Sequence, residues 1–495
     1  MRFSSRLGFL LSVVGIAVGT GNIWRFPRIV AQNGSDEGAG AFLVAWVAFL
    51  FLWSIPLVMA EYALGRKCRM GVVGPIVQTA GKQFAWMGAF MTFVTCAITF
   101  FYSVVVGWCV YYFVQMLVNP LPLTRDAAEA TWNAYQDGGW PLITHAIVMG
   151  FGAFAIWRGV GSIERVNKVL IPTLLAIVIF CVIRALTMPG AWAGVAYLFT
   201  PQWGQLAKPK IWMEALTQNA WDVGAGWGLY LTYAAYVKRK HGLVRNAFIT
   251  PIANNCVSLL AAMMVFGTVF AVLHTERAME QSEVIEIMRT SGPASTGLTF
   301  IWMPQLFAQI FMGRPLAILF FLGLSFAGFS SLIAQLELPV RVFIDRGLKR
   351  SRAIILVVLV TYLLGIPSAI SLDILKNQDF VWGYALILVG ALLAVAVMRY
   401  GASRLRKEEL AADQNDWKLG RWWDVVLVGF VPSAAIILLV WWFVQEAKPG
   451  QWYNPLDPTS VMNCLLQWAI VLGVLLLINR RLAARSLEVN VPNSE

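Results

Sequence analysis

Twelve stretches of this 495-residue chain stay apolar for about twenty residues at a time, enough for a helix to cross roughly 30 Å of hydrocarbon. Lipid offers backbone N–H and C=O groups no partner, so such a chain is confined to helices or a closed barrel. Runs this long predict helices. The composition agrees: 13% of the residues are charged and the mean hydropathy is +0.67, where a soluble domain carries about 25% charged residues. The expected fold is an all-α polytopic membrane protein with spans near 8–32, 40–64, 84–118, 140–157, 167–187, 211–238, 247–273, 314–343, 353–370, 380–398, 423–445 and 460–479. Spans 3 and 8 exceed the bilayer thickness and should tilt or project beyond it. Residues 294–310 are apolar but too short to cross, and Gly297 and Pro304 break them. A re-entrant or capping hairpin is expected there.

The first span is interrupted. Gly15 to Pro27 reads Gly-Ile-Ala-Val-Gly-Thr-Gly-Asn-Ile-Trp-Arg-Phe-Pro. Glycine loosens a helix and proline removes a donor, which frees carbonyls and amides at membrane depth. Such groups must face protein or a polar cavity. Val18-Gly19-Thr20-Gly21 in span 1 is echoed by Val223-Gly224-Ala225-Gly226 in span 6. Five spans separate the copies, so they enter the membrane from opposite sides. Interrupted spans at matching places in two inverted halves point to a transporter's central site.

Charge placement orients the chain. The net charge of +12 is carried by loops on one side: Arg66/Lys67/Arg69, Arg158/Arg165/Lys168, Lys238/Arg239/Lys240/Arg245, Arg346/Lys349/Arg350/Arg352, Arg404/Arg406/Lys407 and Arg480/Arg481/Arg485. The opposite loops hold Asp36/Glu37, Asp126/Glu129 and Glu276, Glu280, Glu283 and Glu286. The positive-inside rule then puts both termini in the cytoplasm. The charge is explained by membrane topology, not by nucleic acid. The N-terminus lacks a small-residue cleavage site ahead of its long apolar helix and does not read as a removable signal. Six scattered cysteines show neither metal spacing nor a disulfide framework and read as small core side chains.

A charge at the bilayer centre costs at least about 2.5–3.5 kcal/mol on insertion scales. The chain nevertheless keeps Arg25, Glu61, Asp222 and Glu337 in or near its spans, with Asn22, Asn254 and Gln335. Polar residues gathered round two broken helices suggest a hydrated ion or substrate path. A hard cation such as sodium finds its oxygen ligands there in the freed carbonyls, Asn22, Asn254, and the hydroxyls of Ser330 and Ser331 beside Ala327-Gly328. The exposed amides at the start of a half-helix favour a carboxylate. No HExxH, GxSxG or P-loop pattern occurs, and His145, His241 and His274 lie far apart, so the chain does not read as an enzyme.

These residues resemble the neurotransmitter:sodium symporter family, in its bacterial LeuT-like amino-acid branch. The likeness rests on Arg6-Leu7-Gly8, Gly15–Pro27, Glu61-Tyr62-Ala63-Leu64-Gly65-Arg66, Tyr102 with Trp108, Gly161-Ser162-Ile163-Glu164-Arg165, Pro172-Thr173-Leu174, Leu198-Phe199-Thr200-Pro201, Thr232-Tyr233-Ala234-Ala235-Tyr236, Ala327-Gly328-Phe329-Ser330-Ser331 and Asp379-Phe380. It covers spans 1–10; spans 11 and 12 carry little of it. It implies a 5+5 inverted repeat in a plasma (inner) membrane, with halves 1–187 and 188–398 and an appendage at 399–495. It further implies a first sodium site at the Ala17 carbonyl, Asn22, Asp222 and Asn254. A second would use the carbonyls of Gly15, Val18 and Ala327 with the hydroxyls of Ser330 and Ser331. The substrate carboxylate would meet Tyr102 and the amides of Thr20 and Gly21. Ala17, Ile98, Trp221, Gly224, Trp227, Ser331 and Gln335 would complete the pocket. Arg25 and Asp379 would form an outer gate, and Asp345 the acidic half of an inner one.

The departures carry information. Position 222, usually a hydroxyl residue in this family, is Asp, and Trp46 stands where chloride-dependent members place a tyrosine, although Gln218 and Ser258 keep the rest of that pattern. A fixed carboxylate beside sodium supplies the charge that chloride supplies elsewhere, so two sodium ions and no chloride are expected. A proton on Asp222 would let the empty carrier return neutralised. Ahead of span 1, Phe3 takes the tryptophan position and Arg2 is the stand-in for the missing inner-gate arginine. Ser35-Asp36-Glu37 lengthens the next loop. Gly19, where amine carriers place an aspartate, favours an amino acid as cargo. Asp222 and the two indoles keep an amine or quaternary-ammonium solute open. A sodium-leak channel and a transport-dead sensor are the readings from other classes.

Overall fold

The computed structural model describes residues 2–238, 241–289, 297–411, 415–447 and 452–485. Arg239, Lys240 and positions 294–296 of the expected hairpin lie outside them. Among the described residues all regular structure is helical. Eight helices among the described residues are long and apolar enough to cross a membrane unbroken: Gly40–Cys68, Lys82–Val118, Val160–Leu186, Leu243–Glu276, Gly313–Asp345, Arg350–Ile370, Leu372–Tyr400 and Trp422–Glu446. They are spans 2, 3, 5 and 7 to 11. Spans 1 and 6 are broken. Span 4, Trp140–Ile156, follows the amphipathic helix Arg125–Gln136 at a 69° bend. Span 12, Val461–Leu477, is a short apolar helix.

Burial sorts the spans into two groups. Spans 3 and 7 each bury 78% of their most apolar stretch, whereas spans 9 and 11 bury 39% and 28%. An apolar face left outside the protein is what a lipid-facing ring requires. Span 3 holds a 34-residue helix, Ala85–Val118, about 51 Å long at 1.5 Å per residue. Span 8 is nearly as long, and the two pack along each other as the main support of the core. Both overshoot the bilayer, as their length predicts.

The segment after residue 296 differs from the expected hairpin. Gly297–Trp302 and Met303–Ala308 form one continuous helical stretch. Pro304 falls in the first turn of its second part, just past the junction with the first. Phe300 packs on Trp108, Tyr112 and Trp132, so the stretch is buried against span 3. The inserted Ser35-Asp36-Glu37 loop is tied down: Tyr197 donates to Ser35 O at 2.6 Å, and Arg289 meets Asp36 Oδ1 at 3.0 Å. The six cysteines are free; four are buried, Cys96 is partly covered, and Cys256 is exposed rather than in the core.

Span 6 breaks between Pro209–Val223 and Leu229–Ala234. Gly224, Gly226 and Gly228 there have φ of 69°, 93° and 88°, a region that costs other L-residues about 1–2 kcal/mol each. A β-carbon on Gly226 would also lie 2.9 Å from Gly390 Cα. Gly226→Ala should therefore lower stability by at least about 1–2 kcal/mol, read as a fall in melting temperature in detergent. The control is Gly150→Ala, on a helix face with nothing within 4 Å, which should not lower it.

Candidate functional site

Span 1 divides into Arg6–Ala17, Thr20–Ile23 and Arg25–Asn33, with Val18 and Gly19 extended between the first two. The break leaves carbonyls at the end of one half-helix and amides at the start of the next. Each set has partners. The Ser330 hydroxyl donates to Val18 O at 3.2 Å and to Ala327 O at 2.9 Å. The Ser331 hydroxyl donates to Gly15 O at 3.3 Å and Ile16 O at 3.1 Å. The five groups expected at the second sodium site thus fall into two hydrogen-bonded sets, one round each of two successive hydroxyls on span 8.

On the other side of the break, Gly19 N–H donates to Asn22 Oδ1 at 2.8 Å and Thr20 N–H to the Tyr102 hydroxyl at 3.2 Å. Gly19 is needed for its size: a β-carbon would lie 2.8 Å from Ser331 Oγ and 2.9 Å from the Tyr102 hydroxyl. Asn22 Nδ2 donates to Asn254 Oδ1 and to Ser258 Oγ, both at 2.7 Å. Ser258 passes a hydrogen bond to Asp222 Oδ2 at 3.3 Å. Asn22, Asn254 and Asp222 therefore form one buried network, with Asn22 at its centre and Ser258 linking it to Asp222. Asp222 is 4% exposed, and its Oδ1 has no hydrogen-bond partner. That oxygen lies 2.8 Å from where a Gly21 β-carbon would stand. A carboxylate oxygen buried without a partner is costly and calls for a cation or a donor.

Between these networks lies a small cavity, lined by Ile16, Ala17, Gly19, Gly21, Tyr102, Trp221, Asp222, Gly224, Trp227, Leu229, Ser331 and Gln335. Most expected pocket residues line it. Ile98 does not, being fully buried within span 3, and Thr20 meets the site through its backbone amide. Trp221 and Trp227 meet edge to face with ring centroids 5.5 Å apart. Arg25 stacks over Trp221 at 5.3 Å and pairs with Asp379 at 3.9 Å. The expected outer pair is formed, at ion-pair rather than hydrogen-bond distance.

The inner pair is not formed as expected. Arg2 is exposed, whereas Asp345 binds Arg341 at 3.0 Å, one turn back on its own helix, and accepts from Gly71 N–H. Arg341 also donates to Arg69 O at 2.7 Å and covers the Tyr236 ring at 5.1 Å. The arginine that pairs with Asp345 is thus on span 8 itself and not at the N-terminus. The short N-terminus is held differently: Phe3 is fully buried and donates to Tyr236 O at 3.2 Å. Glu164 on span 5 takes Ser4 N–H at 2.7 Å, the Ser4 hydroxyl at 2.5 Å and Lys168 at 2.8 Å. Glu337 lies off the cavity and pairs with Arg350 at 2.5 Å while accepting from Tyr236 at 2.9 Å.

Sequence reading also missed the work of Glu61. This fully buried carboxylate on span 2 accepts from Gly226 N–H at 2.6 Å and Leu231 N–H at 3.0 Å, across the break in span 6. The signal was present, since an acid in a long apolar run needs donors; which donors depends on the fold.

The sequence pattern of the Sodium:neurotransmitter symporter family matches residues 1–137 and 136–488. The chain belongs to that family. An uncharacterised sodium-dependent transporter of Methanocaldococcus jannaschii is 31% identical over 458 residues, covering 88% of this chain and 89% of that one. Another such transporter, YhdH of Bacillus subtilis, is 28% identical over 465 residues, covering 89% and 97%. The solved structure of MhsT in complex with L-phenylalanine superposes with a TM-score of 0.77 at 29% identity, over 89% of this chain and 99% of that one. The protein is a sodium-dependent, multi-pass membrane transporter of LeuT-like fold, and not an enzyme.

Replacing Glu61 by Gln would turn an amide NH2 toward the backbone N–H groups it now accepts from. A loss of about 1–3 kcal/mol of stability is expected, measured as a lowered melting temperature; unchanged melting would contradict the bridging role.

Proposed function

We propose that the protein is a symporter that imports an amino acid with two sodium ions, without chloride, by alternating access. The observation that carries the reading is the cluster of oxygens at the break in span 1. Five groups from spans 1 and 8 converge through Ser330 and Ser331, and Asn22, Asn254 and Asp222 share the second network. The carbonyl and hydroxyl oxygens of the first set suit a hard alkali cation; in the second, the Asn22 amide nitrogen that now bridges Asn254 Oδ1 and Ser258 Oγ would give way to one. The hydroxyls now donating to carbonyls would turn their lone pairs toward sodium.

The Thr20 and Gly21 amides with the Tyr102 hydroxyl suit a carboxylate. That the MhsT structure holds L-phenylalanine supports an amino acid at the equivalent place here. Asp222 brings its own negative charge to the sodium site, while Trp46 offers an anion no hydroxyl. In this reading, the inverted halves are 1–187 and 188–398, with 399–495 appended. Both termini lie in the cytoplasm of a bacterial inner membrane. Arg25, Asp379 and Trp221 close the outer side, and the Arg341–Asp345 pair with the Ser4–Glu164 strap closes the inner one.

Uptake into proteoliposomes tests both halves of the proposal. Uptake should follow a sodium gradient and remain unchanged when gluconate replaces chloride. Asp222→Asn should then transport at least about tenfold more slowly without chloride, the scale of one lost charged contact. A chloride requirement in the wild type, or normal chloride-free transport by the variant, would overturn the charge assignment. Ser330→Ala should raise the sodium concentration for half-maximal uptake by about tenfold, with less effect on the maximal rate.

A further inference from the structure

Spans 11 and 12 carry little of the family resemblance, yet span 12 meets the core through side chains that lipid does not ask for. Asn463 and Gln467, one turn apart on Val461–Leu477, bond to the outer end of span 10, Leu372–Tyr400. Gln467 Nε2 donates to Asn377 Oδ1 at 2.8 Å and to Asn463 Oδ1 at 2.7 Å. Asn377 Nδ2 donates to Asn463 Oδ1 and to Pro458 O, both at 2.7 Å. One turn further along span 10, Val381 O accepts from Trp468 Nε1 of span 12 at 3.1 Å. Apolar side chains at these places would suit lipid as well. Apolar contact gives helices in a membrane little driving force to associate, and hydrogen bonds between them fix how they sit.

The helix gripped in this way carries the acid of the outer pair. At about 100° per residue, Asn377 and Val381 share one face of span 10, and Asp379 lies about 200° from Asn377, on the opposite side with Gly383. That side faces the transport path. Asp379 Oδ1 lies 3.9 Å from Arg25 Nη1, and a β-carbon on Gly383 would lie 3.0 Å from Trp221 Nε1. Span 12 therefore holds span 10 from behind the gate. The pair has no slack, since an ion pair extends to about 4 Å. A roll of span 10 by about 10° would move a side-chain tip, roughly 5–6 Å from the helix axis, through about 1 Å.

We propose that Asn463, Gln467 and Trp468 of span 12 are positioning residues for the outer gate, fixing the roll of span 10 so that Asp379 meets Arg25. This rests on the reading of Arg25 and Asp379 as the outer closure. It gives the segment appended to the inverted halves a part in transport that acts through Asp379 and touches neither cargo nor sodium.

Thiol labelling of the full-length protein in intact cells tests the inference with no cargo needed. Ile16 lines the cavity on the cytoplasmic side of the break in span 1, so an Ile16→Cys reporter is reached from outside only past the outer pair. The reagent is a charged, membrane-impermeant methanethiosulfonate in sodium-free medium. Labelling of the native cysteines, the exposed Cys256 above all, is subtracted with the protein lacking the reporter. Asp379→Asn should speed reporter labelling by about two- to fivefold, the scale of one lost polar contact. Gln467→Leu and Trp468→Phe, which remove a donor and keep an apolar body, should each speed it by about two- to fivefold as well. With Asp379→Asn already present neither should speed it further, whereas a merely structural loss at a separate site would multiply with it. Either variant labelled at the reporter's own rate overturns the proposal, and so does an effect that multiplies with that of Asp379→Asn. Trp468→Phe alone decides the matter where Gln467→Leu does not reach the membrane. No acceleration by Asp379→Asn itself would sink the outer-closure reading and this inference together.

Discussion

A helix broken inside a membrane must find partners for its freed backbone groups within the protein, and much of the central architecture answers that requirement. The break at Val18 and Gly19 exposes carbonyls on one side and amides on the other. Span 8 supplies Ser330 and Ser331 to the carbonyls, while Tyr102 and Asn22 receive the amides. The break in span 6 is answered by Glu61. The same groups that make the breaks tolerable are oxygen ligands and amide donors, which is why stability and transport chemistry meet at one place.

The architecture and the centre of the site were legible because lipid restricts what each residue type can do. Glycines, an amide and a proline in a first apolar run admit few explanations, and Asp222 next to a second glycine-interrupted span singles itself out. The tertiary hubs were harder to read. Ser258 looks like any hydroxyl on an apolar helix until Asn22 and Asp222 are seen on either side of it. The Arg341–Asp345 pair has i,i+4 spacing, yet at a basic end crowded with arginines nothing marks that one as the partner. The stretch after residue 296 was misjudged because a proline was read as a breaker where it opens a helical turn.

The N-terminus is held by contacts other than the expected ion pair. With Arg2 exposed and Phe3 buried, the segment ahead of span 1 is held by hydrogen bonds to Glu164 and by aromatic packing, with Phe3 against Phe9 and Tyr233 at 5.2 and 6.0 Å. The acid on span 8 is neutralised within its own helix. Its charge is thus balanced whether or not the N-terminal segment stays in place, so release of that segment does not strand Asp345.

Glu61 sets a mechanical condition as well. Its two oxygens reach one amide within the span 6 break, at Gly226, and one in the short half-helix beyond it, at Leu231, so any sliding of Leu229–Ala234 past span 2 would pull the Leu231 amide off a buried carboxylate. Tyr62, the next residue, meets Phe9 of span 1 and Tyr230 of span 6 at 5.6 and 5.7 Å. The first half of span 1, span 2 and the second half of span 6 are thereby clamped into one lever. Whatever motion carries the cargo across must turn these three pieces together and take up its slack at the glycines.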